Sequence, residues 1–352
     1  MPIRVIGPAR AGVAGDARVR VMAVFERLSA LLDGHIRTQL VASAVRFRIP
    51  DHLADRTLTD AELSGLTGIG VPTLRRYLRA LEGLGLVEPA GENAYRGTAL
   101  IESLRRDTGI LYGHALMAGA EYYGAWSELD YALRTGESAF EHRYGRDLWR
   151  HFDGDDDAAV SFARTMRFNT ERFLQEILGL YDFPDDGVVA DLGAGDGTLL
   201  AELLVRAPKL RGIAFEQPAT IGIARRTMED RAVADRCELV AGDFLAEVPP
   251  GADLYVIKSV IHNWNDEAAL RILRNCRTSI GERGRLLLIE RALKIDDALE
   301  AAIRDLAMLV LLGGQSRSVG EYEELLRRAG YSVEQTLTAP SGFCLLDAKP
   351  DV

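Results

Sequence analysis

Three groups of residues in the second half of this 352-residue chain have the types and spacing that chemistry requires. The first is the loop Asp191-Leu-Gly-Ala-Gly-Asp-Gly197. Its glycines let the backbone pass close to a bound molecule, and a following helix offers unpaired N–H groups to an anion. Thr198 stands where the third glycine of a dinucleotide loop would be, and no G-x-x-x-x-G-K-[ST] occurs, so neither a dinucleotide fingerprint nor an NTPase loop is met. The second group is Glu216 with Gly242-Asp243-Phe244. A carboxylate at Glu216 can accept from both hydroxyls of a ribose, and Asp243 with Phe244 offers an acceptor and an aromatic face to an adenine. Plainer readings stand beside these: Glu216 as a solvated loop end, Asp243 as a helix N-cap. The third group is Lys258-Ser-Val-Ile-His-Asn-Trp-Asn-Asp-Glu267. An imidazole at His262 is suited to take a proton at neutral pH, and a nearby carboxylate would fix its tautomer and stabilise the imidazolium. A strand-end histidine satisfied by its neighbours is the alternative.

These residues need a frame that brings them to one edge. From residue 187 onward apolar runs at 188–192, 211–215, 237–241, 253–258 and 285–290 predict strands separated by helices. Stretches 331–337 and 342–348 predict a closing antiparallel pair. The alternation implies a doubly wound, mostly parallel, seven-stranded Rossmann-like α/β sheet. Ligands of such sheets bind outside the carboxyl ends of the strands. Asp191, Glu216, Asp243, His262 with Asp266, and Glu290 each close or follow a strand, so five successive strands deliver ionisable groups to one rim.

The N-terminal part reads differently. Helical spacing covers 21–32 and 34–45, and Thr59 with Glu62 forms a capping-box pattern. Pro72 suits the first position of a second helix carrying Leu74, Tyr77, Leu78 and Leu81 on one face. Short strands at 86–88 and 94–96 complete a helix, turn, helix, wing order. Arg75, Arg76 and Arg79 could meet DNA phosphates, as in a regulator, or form the solvated face of a dimerisation module. Residues 109–180 predict helices rich in aromatics and Met, suited to core and to an apolar pocket. The expected domains are 1–106, helical and winged-helix-like, and 107–352, in which 107–180 shapes a pocket and 181–352 is the sheet core.

A formal charge of −10 and a pI near 5.3 argue against a nucleic-acid binder and provide no polybasic membrane anchor. Three widely spaced cysteines fit neither a disulfide framework nor a zinc site and point to a reducing, cytoplasmic setting. Residues 1–20 lack the apolar core of an export signal, no window reaches a membrane span, and the acidic run 153–157 reads as a solvated loop or helix start.

Val189-Ala-Asp-Leu-Gly-Ala-Gly-Asp-Gly197, Phe215-Glu-Gln-Pro218, Gly242-Asp-Phe244 and Lys258–Glu267 resemble the motif series of small-molecule O-methyltransferases, the group of plant caffeate-type enzymes and bacterial enzymes of antibiotic biosynthesis. The likeness covers nearly the whole chain, and its most specific part is the K-x-x-x-H-x-W-x-D-E stretch. It implies S-adenosylmethionine as cofactor, with Asp191, Gly193, Gly195, Glu216, Gln217, Gly242, Asp243, Phe244, Lys258 and Ser259 around it, and no metal. It implies His262 as general base and Glu290 as the group that orients it. Met166, in an F-x-x-x-M context, would face the substrate with Asn263 and Met308. A homodimer through the N-terminal helices is expected, and the expected substrate is a phenolic, polyketide-derived aromatic. Relatives that bind the cofactor yet hydroxylate, decarboxylate or cyclise define the second reading. One departure stands out: the plant-type G-G-K-E-R-T is Gly313-Gly-Gln-Ser-Arg-Ser318 here, with Ser316 in place of a second carboxylate.

Overall fold

A computed structural model describes residues 24–151, 156–218, 220–293 and 298–351, and no side chain of 156–165, 168, 169 or 298. The N-terminal reading of 1–20, the start of the first helix and most of the acidic run at 153–157 lie outside these residues. Two compact units emerge, one ending at Gly119 and the other beginning at Ala120.

In the first unit a helical stretch over 24–32 precedes α1 (Gly34–Arg46). β1 (Thr57–Thr59) leads into α2 (Asp60–Thr67), where both halves of the Thr59–Glu62 capping box form. α3 (Val71–Gly83) carries Pro72 one position further in than expected and buries Leu74, Leu78 and Leu81. β2 (Val87–Pro89) and β3 (Ala94–Gly97) pair antiparallel, and β1 joins them in the order β1-β3-β2. The winged-helix order is therefore present. Arg75 is tied to the buried carboxylate of Asp60, which gives it a structural task within the unit. α4 (Tyr112–Ala118) packs on α1, and Gln39 Nε2 donates to the Gly119 carbonyl at 2.9 Å.

The second unit is built on a seven-stranded sheet: β4 (Val188–Leu192), β5 (Arg211–Glu216), β6 (Cys237–Ala241), β7 (Leu254–Lys258), β8 (Arg285–Arg291), β9 (Tyr331–Thr338) and β10 (Phe343–Pro350). Their order is β6-β5-β4-β7-β8-β10-β9, parallel through β8 and antiparallel at β10 and β9. The chain leaves β4 in one direction and resumes beside it at β7, so the switch point of the doubly wound topology falls between these two strands. Alternate residues feed two cores, Ala190, Leu192, Tyr255 and Ile257 on one face and Val189, Val256, Leu287 and Ile289 on the other.

Residues 120–180 are helical, as expected, but broken into pieces. Glu121–Trp126, Leu129–Thr135, Ala139–Tyr144 and Leu148–His151 precede the long α5 (Asp156–Leu180). Gly136 and Gly145, at φ 74° and 69°, close two of the short helices in the left-handed conformation that glycine adopts without strain. Around the sheet lie α6 (Thr198–Arg206), α7 (Ile221–Asp230), α8 (Asp266–Ser279), α9 (Ala298–Leu312) and α10 (Val319–Arg328). Among the described residues no helix is long and apolar enough to cross a membrane.

Candidate active site

The Gly-rich loop leaves β4 and doubles back over β5. The N–H groups of Gly193 and Ala194 both donate to the Phe215 carbonyl, at 2.9 and 3.2 Å. Gly193 sits at φ 75°, and a Cβ there would lie 2.7 Å from Val260 Cγ2, so only glycine lets this loop abut the turn after β7. A Cβ on Gly195 would meet open space, which leaves the backbone free for close approach by a ligand. Glu216 is pre-oriented: its two carboxylate oxygens accept from Gly195 N and Gln217 N, each at 2.8 Å. Burial pushes this carboxyl up in pKa, and the two backbone hydrogen bonds work against that. Gln217 thus enters the site through its backbone. Gly242 donates to the Glu216 carbonyl at 3.0 Å and packs flat on the Phe215 ring.

Asp243 caps no helix: its Oδ1 accepts from Leu245 N at 2.8 Å and closes a tight turn over residues 244–246. Phe244 meets the Trp264 ring edge to face at 5.9 Å, which joins the β6 and β7 loops through aromatic contact. Asp191 is 3% exposed at the end of β4; desolvation raises its carboxyl to about 7, with Lys258 pulling the other way. Burial in turn lowers Lys258, and the charges of Asp191 and Glu290 oppose that shift. The Lys258 ammonium donates to Thr170 Oγ1 at 3.1 Å, a partner that sequence reading missed because it lies on a distant helix. Ser259, at φ 56°, turns the chain sharply between Lys258 and Val260 and donates its N–H to the Ile289 carbonyl at 2.9 Å.

His262 lies in the 3-10 turn Ile261–Asn263 just beyond β7. Its Nδ1 is 2.5 Å from Glu290 Oε2, and its side chain is 22% exposed while that of Glu290 is fully buried. The other oxygen of Glu290 accepts from Val260 N at 3.0 Å and Ile261 N at 2.7 Å. A buried carboxylate with three donors is a satisfied one, and it leaves Nε2 of the ring as the nitrogen free to act. The expected pairing of the ends of β7 and β8 is met. Asp266, by contrast, turns away from the rim: it starts α8 and binds the guanidinium of the buried Arg317.

Met166 lies one helical turn before Thr170 on α5 and is 40% exposed, so the Lys258–Thr170 contact draws its face of the helix toward the rim. Met308 is on α9, the helix that packs against the His262 turn, and its carbonyl accepts from Gly314 N at 3.1 Å. Asn263 donates its backbone N–H to Val260, and its side-chain amide has no hydrogen bond among the described residues. At the departure from the plant-type pattern, the Ser316 N–H donates to Asp305 Oδ1 at 2.7 Å, so a carboxylate does stand beside this position, supplied from α9. The open Gly195 backbone, the oriented Glu216 and the aromatic Phe244–Trp264 pair fit a ribonucleoside.

Comparison with known proteins agrees with this geometry. Residues 126–332 match the O-methyltransferase domain. The chain belongs to this family. The methyltransferase is 33% identical to the phenazine O-methyltransferase PhzM of Lysobacter antibioticus, over 92% of this chain and 95% of that one. The solved structure of the mitomycin 7-O-methyltransferase MmcR superposes with a TM-score of 0.89 at 31% identity, covering 95% of this chain and 99% of the other. The neocarzinostatin O-methyltransferase NcsB1, solved with S-adenosylmethionine and 2-hydroxy-5-methyl naphthoic acid, gives a TM-score of 0.79 at 30% identity over 89% and 96% of the two chains. The protein is an S-adenosylmethionine-dependent O-methyltransferase with a mostly parallel seven-stranded sheet and an N-terminal helical region.

Proposed function

We propose that the methyltransferase acts on a phenolic hydroxyl of an aromatic, polyketide-derived natural-product intermediate, with His262 as general base. The observation that carries this reading is the 2.5 Å contact of His262 Nδ1 with the buried Glu290 carboxylate. S-adenosylmethionine supplies an electrophilic methyl group on a sulfonium. A phenol, with a pKa of about 10, is a poor nucleophile until its proton leaves. Glu290 holds the ring so that Nε2 faces outward, and Nε2 takes that proton as the oxygen attacks. The imidazolium then shares its charge with Glu290. Asp191, Gly193, Gly195, Glu216, Gln217, Gly242, Asp243, Phe244, Lys258 and Ser259 surround the cofactor, and Met166, Asn263 and Met308 border the aromatic ring. Support for an aromatic substrate comes from PhzM, named for a phenazine, and from the naphthoic acid bound by NcsB1.

The test is a mass-spectrometric screen of hydroxynaphthoic acids and other phenols with S-adenosylmethionine, run on the parent and on His262→Ala. A product heavier by one CH2 is expected with the parent. The variant should lose about 10²–10⁴-fold in kcat near neutral pH and keep cofactor affinity by calorimetry. A His262→Ala enzyme that methylates at nearly the parent rate sinks the base assignment, and products heavier by one oxygen would favour the non-methylating reading.

A further inference from the structure

Among the described residues, Arg317 is the largest side chain buried almost completely, at 1% exposure. A guanidinium in that position needs acceptors, and the ones it has are informative. Its Nη2 donates to the Trp264 carbonyl at 2.9 Å and to Asp266 Oδ1 at 2.8 Å; its Nε also donates to Asp266 Oδ1, at 3.1 Å. Its Nη1 donates to the Ile261 and Gln315 carbonyls, both at 3.2 Å. The residue two before it adds to the same grip, because Gln315 N donates to the His262 carbonyl at 3.0 Å and Gln315 Nε2 to Asp266 Oδ1 at 3.1 Å. The turn that carries His262 is thus held on two sides. Glu290 takes its N–H groups at Val260 and Ile261, and the 315–317 segment takes its carbonyls at Ile261, His262 and Trp264. A rigid planar fork with five donors can bridge three carbonyls and a carboxylate at once, whereas an ammonium on a flexible stem cannot.

We propose that Arg317 is a positioning residue for the reaction: it clamps the backbone of the His262 turn so that the ring meets Glu290 on one side and the substrate hydroxyl on the other. The inference rests on the reading of His262 as the base. Proton transfer and in-line attack tolerate little error, since a displacement of about 1 Å is worth roughly 10²-fold in rate.

The test compares the parent with Arg317→Lys, Arg317→Met, His262→Ala and Arg236→Lys. The last is a control of similar kind, because Arg236 holds the carbonyls of Leu204, Ala207 and Leu210 at the far end of α6. The first readout needs no substrate: proton NMR of the His262 Nδ1–H, which a short hydrogen bond to Glu290 moves far downfield. The signal is expected in the parent and in Arg236→Lys, absent in His262→Ala, and broadened or shifted back upfield in Arg317→Lys. The second readout is kcat against pH with the phenol found by the screen. Arg317→Lys should lose about 10-fold to 100-fold near pH 7 and recover as pH nears the phenol's own pKa of about 10, with the KM for S-adenosylmethionine within about twofold of the parent's. Where Arg317→Met does not fold, the lysine variant decides alone. If the parent lacks the downfield proton, or His262→Ala keeps the rate, the dyad reading falls and takes this one with it. If the parent shows the proton and Arg317→Lys leaves it in place, or loses activity equally at every pH, or Arg236→Lys behaves the same way, only the role of Arg317 is overturned.

Discussion

Asp191 shows how a site can work against the stability of its own fold. Its carboxyl rises from 3.8 to about 7 because the end of β4 is dry and because Glu216 and Asp196 add negative charge. The ligand-free fold therefore keeps a proton at Asp191 that the unfolded chain gives up near pH 4. This group's contribution is full below about pH 4 and is lost as pH rises to about 7. Asp191→Asn should flatten the fall of Tm between about pH 4 and 7, read by scanning calorimetry without cofactor. A variant whose Tm falls as steeply as the parent's would show that another group titrates. A cationic ligand reverses the balance, since a nearby positive charge favours the ionised carboxylate. The same substitution is thus expected to weaken S-adenosylmethionine binding above about pH 7 while sparing the free protein.

The turn after β7 depends on partners that arrive from α9 and the segment behind it. Gly314 lies so close to that turn that a Cβ would sit 2.3 Å from the His262 carbonyl oxygen and 2.5 Å from the Asn263 carbonyl carbon. Both are backbone atoms, so neither can swing aside. Gly314→Ala should cost about 1–3 kcal/mol, seen as a lower denaturant midpoint, and should reduce kcat more than it raises the KM for cofactor. Unchanged stability and rate would mean that the turn yields freely. Sequence reading saw the Gly-Gly pair and the substitution at Ser316 as a matter of a missing carboxylate. In the folded protein the region serves as a brace, through Gly314 against His262, Gln315 and Arg317 on the turn, and Ser316 on Asp305.

The first unit presents apolar residues to solvent along one helical face. Val24, Phe25, Leu28, Leu31, Leu32 and Ile36 are 46–72% exposed. Their spacing is that of a stripe meant to be covered, and a monomer does not leave such a stripe bare without cause. We propose that a homodimer through these helices covers it. Leu28→Glu with Leu31→Glu should convert the dimer to monomer in sedimentation experiments, with kcat falling far less than assembly. A monomeric parent, or a double variant that stays dimeric, would rule this surface out.

Strand positions, the Gly-rich loop and the capping box at Thr59 were readable in the chain, and the pairing of His262 with Glu290 followed from the family resemblance. Their signals are local: period-two burial, glycine at positions of positive φ, a side chain that satisfies its own helix end, and motif residues placed at successive strand ends. The fate of Asp266 and the purposes of Thr170, Asp305 and Arg317 were not readable. Thr170, Asp266 and Arg317 depend on partners far along the chain, Lys258 for Thr170 and the 261–266 turn for Arg317, and Asp305 on Ser316 across the end of its own helix. A polar residue near a strand end looks the same in sequence whether it faces a ligand or a buried guanidinium. Local chemistry declares which groups can react, but which of them point at the ligand and which hold the others still is settled by contacts that exist only once the helices have packed on the sheet.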